Sequence, residues 1–291
     1  MELISDYMKD DNKRHMLNGL TEKVFGFNFE SWVTRGYFEG DYIPYSFVDG
    51  EKIVSNVSAN RMRFMQNGAG RYYIQIGTVM TDPDYRKQGL AAKLMKRVIE
   101  DYEKGCDGIY LFGDLSAADF YRKMGFEILN QSRYFVKEEF CRSEKGADAF
   151  KPIMDMDDSV KNKYPEYVRS SAVHSSFEQI NTYGLQMFYT AGLDSVLYCA
   201  GLDCFIVLEQ GEMPILQSVL SKEKVALADV LKRIEFEDHR CMLGFTPLDE
   251  DKTMCISEEY DGADDYRLFY RGRELESVER DRLYFPDLSH A

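Results

Sequence analysis

The sequence predicts an α/β protein: a mixed sheet with covering helices in the first half, followed by a second α/β unit. Three observations carry this. Two hairpin signals, Asp49-Gly50 and Asn67-Gly68, stand between segments rich in apolar, β-branched and aromatic residues. An amphipathic stretch and a short apolar run follow, giving hairpin, strand, helix, strand over residues 45–113. The same order returns over residues 196–245, so the second half reads either as a degenerate copy of the first or as an unrelated α/β domain.

Near the start, "DNKRHMLNGLTEKVFG" places Met16, Leu17, Leu20 and Val24 at helical spacing behind a cap-like Asp11-Asn12. An aromatic stretch follows, with Trp32, Tyr37, Phe38, Tyr42 and Tyr45; core packing or an acceptor pocket for a cation would use it equally well. A helix from Gly89 to about Lys104 sets Leu90, Leu94, Val98 and Tyr102 on one face. Lys93, Lys96, Arg97 and Glu100 fall on the other. Residues 108–113 form a short strand. "LSAADFYRKMGF" is a second helix, with Ser116 and Asp119 as a capping-box pair and Gly125 closing it. Residues 133–138 read as the last strand of a first domain spanning 1–140. A second domain spans 150–291, with strands expected at 196–198, 204–208, 214–220 and 241–245 and a helix at 224–234.

The totals narrow the function classes. The chain has 291 residues, 44% of them hydrophobic, enough for one large or two packed domains. Asp and Glu number 50 against 36 Lys and Arg, a net charge of −14. Such a surface argues against nucleic acid as the main partner and permits a cationic one, such as an amine; solubility alone explains it as readily. Six cysteines without a CxxC pair read as free thiols of a reducing cytoplasm. No leader-like apolar segment opens the chain and no run approaches the ~20 residues of a membrane span, so the expected location is cytoplasmic. Residues 258–267 lack calcium-loop spacing and read as a solvated acidic turn. His174, His239 and His290 lack metal-ligand spacing, and no metal is expected.

One junction stands out. Arg86-Lys87-Gln88-Gly89-Leu90-Ala91 breaks an apolar strand just before the first amphipathic helix. The first turn of a helix leaves backbone N–H groups unpaired, and these, with the helix dipole, attract an anion. Gly89 and Ala91 remove bulk where a pyrophosphate would approach the backbone, and Arg86 and Lys87 add charge. Alone, the pattern is an ordinary turn as often as a phosphate site. The equivalent junction in the second half, Ser221-Lys222-Glu223-Lys224-Val225-Ala226, has no glycine; a second copy is expected to lack the loop.

Together with "SAADFYRKMGF", this junction resembles the acyl-CoA site of the GCN5-related N-acetyltransferase (GNAT) superfamily over residues 20–140. Arg86, Gly89 and Ala91 match Arg/Gln-x-x-Gly-x-Gly/Ala after the extended segment Val79-Met80-Thr81. Ala117, Tyr121, Gly125 and Phe126 match the later Ala-x-x-x-Tyr-x-x-x-Gly-Phe. The resemblance implies a GNAT fold and an enzyme that moves an acetyl group from acetyl-CoA to a primary amine. It implies that Val79, Met80 and Thr81 pair with the pantetheine arm, and that N–H groups of Lys87, Gln88, Gly89, Leu90 and Ala91, beside Arg86, hold the pyrophosphate. Tyr121 would protonate the departing thiolate; a phenol with an ordinary pKa near ~10 still carries its proton at neutral pH.

The sequence departs from that pattern at two points. The strand glutamate that accepts the amine's proton in many members is Gln75 here, which orients a water but takes no proton. The asparagine often found three residues before the motif alanine is Asp114, which contacts the cofactor differently or caps the helix. Glu39, Asp41 and His15 are alternative bases, or the amine arrives neutral. A GNAT domain followed by a degenerate one is also similar to the enhanced intracellular survival acetyltransferases, whose C-terminal carboxylate serves as base. Ala291 at the end of "LYFPDLSHA" would play that part. The rival to an enzyme is a non-catalytic acyl-CoA sensor, which Gln75 would suit and Tyr121 would not.

Overall fold

The computed structural model describes residues 1–144, 148–236, 239–262 and 266–291. Part of the acidic stretch 258–267 therefore lies outside the described residues. The first half carries β1 (Glu2–Ser5), β2 (Tyr42–Asp49), β3 (Lys52–Gln66), β4 (Ala69–Thr81), β5 (Gly108–Asp114), β6 (Glu127–Leu129) and β7 (Gln131–Val136). The second carries β8 (Lys151–Pro152), β9 (Ser175–Gln179), β10 (Val196–Cys199), β11 (Cys204–Glu209), β12 (Ile215–Ser221), β13 (Cys241–Leu243), β14 (Thr246–Pro247), β15 (Cys255–Tyr260) and β16 (Tyr266–Arg271).

These strands form two mixed sheets. The first runs β1-β2-β3-β4-β5-β16-β6, with β9 and β14 added beside β3; the second runs β8-β10-β11-β12-β13-β7-β15. Position by position, the two orders repeat each other. In each, β-hairpin pairing is antiparallel until one parallel step, β4 with β5 and β12 with β13, and antiparallel again beyond it. The second half is thus a second copy of the same sheet topology.

The copies exchange one strand. The strand expected at 133–138 as the last of the first domain is β7 (131–136), and it lies in the second sheet between β13 and β15. Strand β16 fills the equivalent gap in the first, between β5 and β6. A division near residue 140 is therefore not a division of the sheets. Burial explains the placement: Tyr134 and Val136 enter the second core, while Phe269 enters the first.

Three helices frame the first sheet's open end: α1 (Asp11–Phe25), α2 (Glu30–Thr34) and α3 (Leu90–Tyr102). Helix α3 buries Leu90, Leu94, Met95, Val98 and Ile99, the face its periodicity predicts. The cap of α1 is Asp10, whose carboxylate accepts from the Lys13 amide at 3.1 Å. The Ser116–Asp119 capping box does not form. Asp114 accepts from the Ser116 amide at 2.7 Å and starts a short turn, and α4 covers Ala118–Lys123. The helix expected at 224–234 shrinks to Leu227–Leu231. All six cysteines are free, and among the described residues no helix is long and apolar enough to cross a membrane.

Candidate active site

The parallel step between β4 and β5 is short. It covers Tyr73–Gln75 against Gly108–Tyr110, after which the two strands diverge. From Ile76 to Thr81, β4 keeps its partner β3 on one side and shows an unpaired edge on the other. A bulge accentuates this. Met80 faces Asn56 and Gly77 faces Ser58, so Thr78 and Val79 together face the single Val57. Thr78 takes a left-handed φ of 40°, held by hydrogen bonds to Tyr42 at 2.8 Å, Ser58 at 2.9 Å and Asn56 at 3.1 Å. Sequence reasoning did not single out Thr78; a threonine in a strand carries no sign of a positive φ.

The loop below this edge has the backbone a phosphate needs. Lys87 and Gly89 both have left-handed φ, 62° and 73°. Gly89 is the N-cap of α3, and no side chain caps the exposed N–H groups of its first turn. Arg86, Lys87, Gln88 and Gly89 are exposed; among the described residues neither Arg86 nor Lys87 is in an ion pair. Arg86 Nε reaches the Thr81 carbonyl at 3.3 Å, closing the loop on the end of β4. Leu90 is buried, so it offers its amide alone; Ala91 is partly exposed on the first turn.

The divergence opens a cavity of about 610 Å³. Gln75, Gly77, Thr78, Val79, Asp114, Tyr121, His290 and Ala291 all line it. Tyr121, on α4, is 7% exposed and is held by ring contacts to Phe126 and to Phe269 of the exchanged strand. Gly113 leaves its ring room; a Cβ there would stand 2.8 Å from Cε2. Burial, with Tyr266 and Asp114 adding, pushes the Tyr121 phenol up to about 12. Gln75 is buried: Tyr110 donates to its amide oxygen at 3.5 Å, and its carbonyl accepts from Asn60 at 3.1 Å. Asp114 is held below the usual carboxylate range by its hydrogen bond to Ser116.

Ala291 lies in the cavity beside β4. A Cβ at Gly77 would stand 2.5 Å from its carbonyl oxygen, so the glycine makes its seat. The preceding residues are tied down. His290 stacks on Phe112 with centroids 3.8 Å apart, and its carbonyl accepts from Tyr189 at 2.6 Å. Burial pushes the His290 imidazole down to about 4, so it sits there neutral. The other candidate bases lie elsewhere. Glu39 pairs with Arg169, Asp41 accepts from Asn181 at 2.9 Å, and His15 is exposed 3.6 Å from Glu30. The acidic surplus of the chain is not gathered here. Among the described lining residues, Asp114 is the one carboxylate side chain.

Known proteins share both the domain that holds this geometry and the fold of the whole chain. Residues 11–129 match the family profile described as Acetyltransferase (GNAT) domain. The whole chain is similar in fold to a probable N-acyltransferase from Enterococcus faecalis V583. The identity is 17% and the TM-score 0.56, over 95% of this chain and 74% of that one. A GCN5-related N-acetyltransferase from Kribbella flavida gives 16%, 0.56, 95% and 73%. Eis1 from Mycobacterium abscessus gives 12%, 0.52, 92% and 73%. Residues 11–129, which hold the β4 edge, the Arg86–Ala91 loop and Tyr121, are by that profile a GNAT acetyltransferase domain, the domain of an acyltransferase.

Proposed function

We propose that the protein is an N-acetyltransferase that transfers the acetyl group of acetyl-CoA to a primary amine. The observation that carries this reading is the meeting of Tyr121, Gln75 and Ala291 in one cavity beside the unpaired edge of β4. The chain's residues fit the co-substrate: the free edge at Val79, Met80 and Thr81 suits an extended amide-bearing arm, and the loop Arg86–Ala91 suits a diphosphate. When bound, acetyl-CoA supplies an acyl thioester. The amine forms its bond to the acyl carbon as the carbon–sulfur bond breaks. Tyr121, fully protonated at neutral pH, gives its phenolic proton to the sulfur and regains one from solvent. A chain that ends at Ala291 carries a carboxylate at Gly77, and that carboxylate takes the proton the amine loses. Gln75 orients the nitrogen or a bridging water. Asp114 fixes the turn that presents Tyr121.

The experiment is release of free CoA from acetyl-CoA against primary amines. It compares the 291-residue chain with Tyr121→Phe and with a version extended by several residues past Ala291. Amine-dependent release that falls about a hundredfold or more in Tyr121→Phe supports the acid. Loss of turnover on extension, with acetyl-CoA affinity kept, supports the carboxylate; full activity in the extended chain removes it.

A further inference from the structure

One wall of the cavity is a continuous array of rings. Phe25, Phe27, Phe29, Trp32, Phe188 and Tyr189 line it, with neighbouring centroids 5.3–6.4 Å apart. These residues come from the end of α1, from α2 with the residues leading into it, and from the helix Tyr183–Tyr189. None belongs to the β4 edge or the Arg86–Ala91 loop, so the wall is left for the acceptor.

The polar atoms of this wall are already engaged. Trp32 Nε1 donates to the Gly184 carbonyl at 2.7 Å, and the Tyr189 hydroxyl donates to the His290 carbonyl at 2.6 Å. The nearby Glu30 accepts twice from Arg14, at 3.0 Å each, and is not among the lining residues. Among the described residues, the wall therefore offers ring faces, which attract a cation and bury apolar surface, and no carboxylate for a second cation. A further charge held at the buried end, by Phe29 and Trp32, would lose its water without a partner. The wall also runs outward, from Phe29 (4% exposed) and Trp32 (7%) to Phe25 and Tyr189 (47% each). That is a path for a molecule that enters and leaves, rather than a closed tunnel for a long acyl chain.

We infer, resting on the acetyl-transfer reading above, that the acceptor is a primary amine carried on an aromatic or compact apolar body with a single positive charge. The carboxylates of the cavity, Asp114 and the chain end at Ala291, lie on the strand side, so the ring wall has no partner for the further charges of a polyamine or an aminoglycoside.

The test uses the full chain with saturating acetyl-CoA. Values of kcat/KM are compared for 2-phenylethylamine and tryptamine against spermidine and kanamycin. The aryl amines are expected to exceed the polycations at least tenfold. Phe188→Ala, and separately the exposed Phe25→Ala, should lower kcat/KM for the aryl amines about five- to tenfold while leaving acetyl-CoA affinity unchanged. Faster turnover of the polycations overturns the inference and leaves the acetyl-transfer reading intact. So does a pair of variants that alters use of butyryl-CoA against acetyl-CoA but not the ranking of amines. Binding of acetyl-CoA with no turnover of any amine overturns the acetyl-transfer reading itself.

Discussion

The two clefts of this molecule share a topology and differ in whether they are open. In the first, β4 and β5 part after Gln75, the cavity measures about 610 Å³, and α3 runs Leu90–Tyr102. In the second, β12 and β13 pair over Ile215–Leu216 and a bulge follows at once, where Val207 faces Ser218 and Leu208 faces Leu216. The space there is about 120 Å³, and the helix is Leu227–Leu231. The junctions differ more sharply still. Lys87 and Gly89 are left-handed and exposed, whereas no residue from 221 to 227 has a positive φ. Ser221 meets His174 at 2.9 Å, Lys222 pairs with Glu166 at 2.7 Å, and Lys224 pairs with Glu250 at 2.5 Å. A sheet order is therefore not a phosphate site. A phosphate would need unpaired amides, a backbone that few side chains tolerate, and cations free of ion pairs.

The largest effect that tests this asymmetry is expected at Tyr121. Tyr121→Phe keeps the ring contacts to Phe126 and Phe269 and removes the proton. Turnover should fall roughly a hundred- to a thousandfold with acetyl-CoA affinity within about twofold, read by steady-state kinetics and calorimetry. Because Phe269 belongs to the exchanged strand β16, the first cleft draws its support for the Tyr121 ring from the second half. Loss of affinity and activity together would mean that Tyr121 acts by packing.

A carboxylate reports the closure of the second cleft. Asp114, in the open cleft, is held below its usual range, but Glu178, which lines the closed one, is pushed from 4.5 up to about 7 by burial. The amides of His174 and Ser175 donate to it at 2.8 and 2.9 Å and oppose that shift. Folding therefore favours the protonated form. The contribution is full below pH 4.5 and is lost as the pH rises through about 7. Glu178→Gln should gain on the parent over that window by roughly 1–3 kcal/mol, seen as a rising difference in Tm or in urea midpoint. A difference that stays flat or falls with pH would show an ionised Glu178 in an open cleft.

Gly77 tests the seat of Ala291. A methyl group there meets the Ala291 carbonyl oxygen at 2.5 Å and Asn60 Nδ2 at 3.0 Å. Gly77→Ala should displace the chain end and slow turnover about tenfold at unchanged acetyl-CoA affinity. Undiminished turnover would separate Ala291 from the chemistry.

Much of this was legible in the residues, and what was not has a physical cause. The hairpin turns at Asp49-Gly50 and Asn67-Gly68, the buried face of α3 and the strands at 204–209 and 215–221 follow from local pattern. The loop Arg86–Ala91 was legible because glycine and paired cations are chemically conspicuous. The exchange of β7 and β16 was not, because period-two alternation says that a strand is half-buried but not beside which partner. The aromatic wall is legible only in part. Trp32 and Tyr42 line the cavity as one reading of their stretch allows, whereas Tyr37 packs on Tyr183 and Tyr45 bonds Asp101 at 2.9 Å. Phe188 and Tyr189, far along the chain, reach the same wall only through tertiary structure.

The smallest effect is the most direct contrast between the junctions. Gly89 has φ +73°, and a Cβ added there would find nothing within 4 Å, so alanine meets no atom and is strained only in its backbone. That strain costs about 1 kcal/mol for an L-residue in the left-handed region. If the loop relaxes to avoid it, the amides of α3's first turn rotate away from the diphosphate. Gly89→Ala should then weaken CoA about fivefold by calorimetry, with turnover at saturating acetyl-CoA little changed. Glu223→Ala, at the second junction, should leave CoA binding as it was, since the backbone there has no left-handed turn to present its amides. Equal weakening by both substitutions would mean that CoA touches both clefts, and the difference between open and filled would no longer divide the molecule's work.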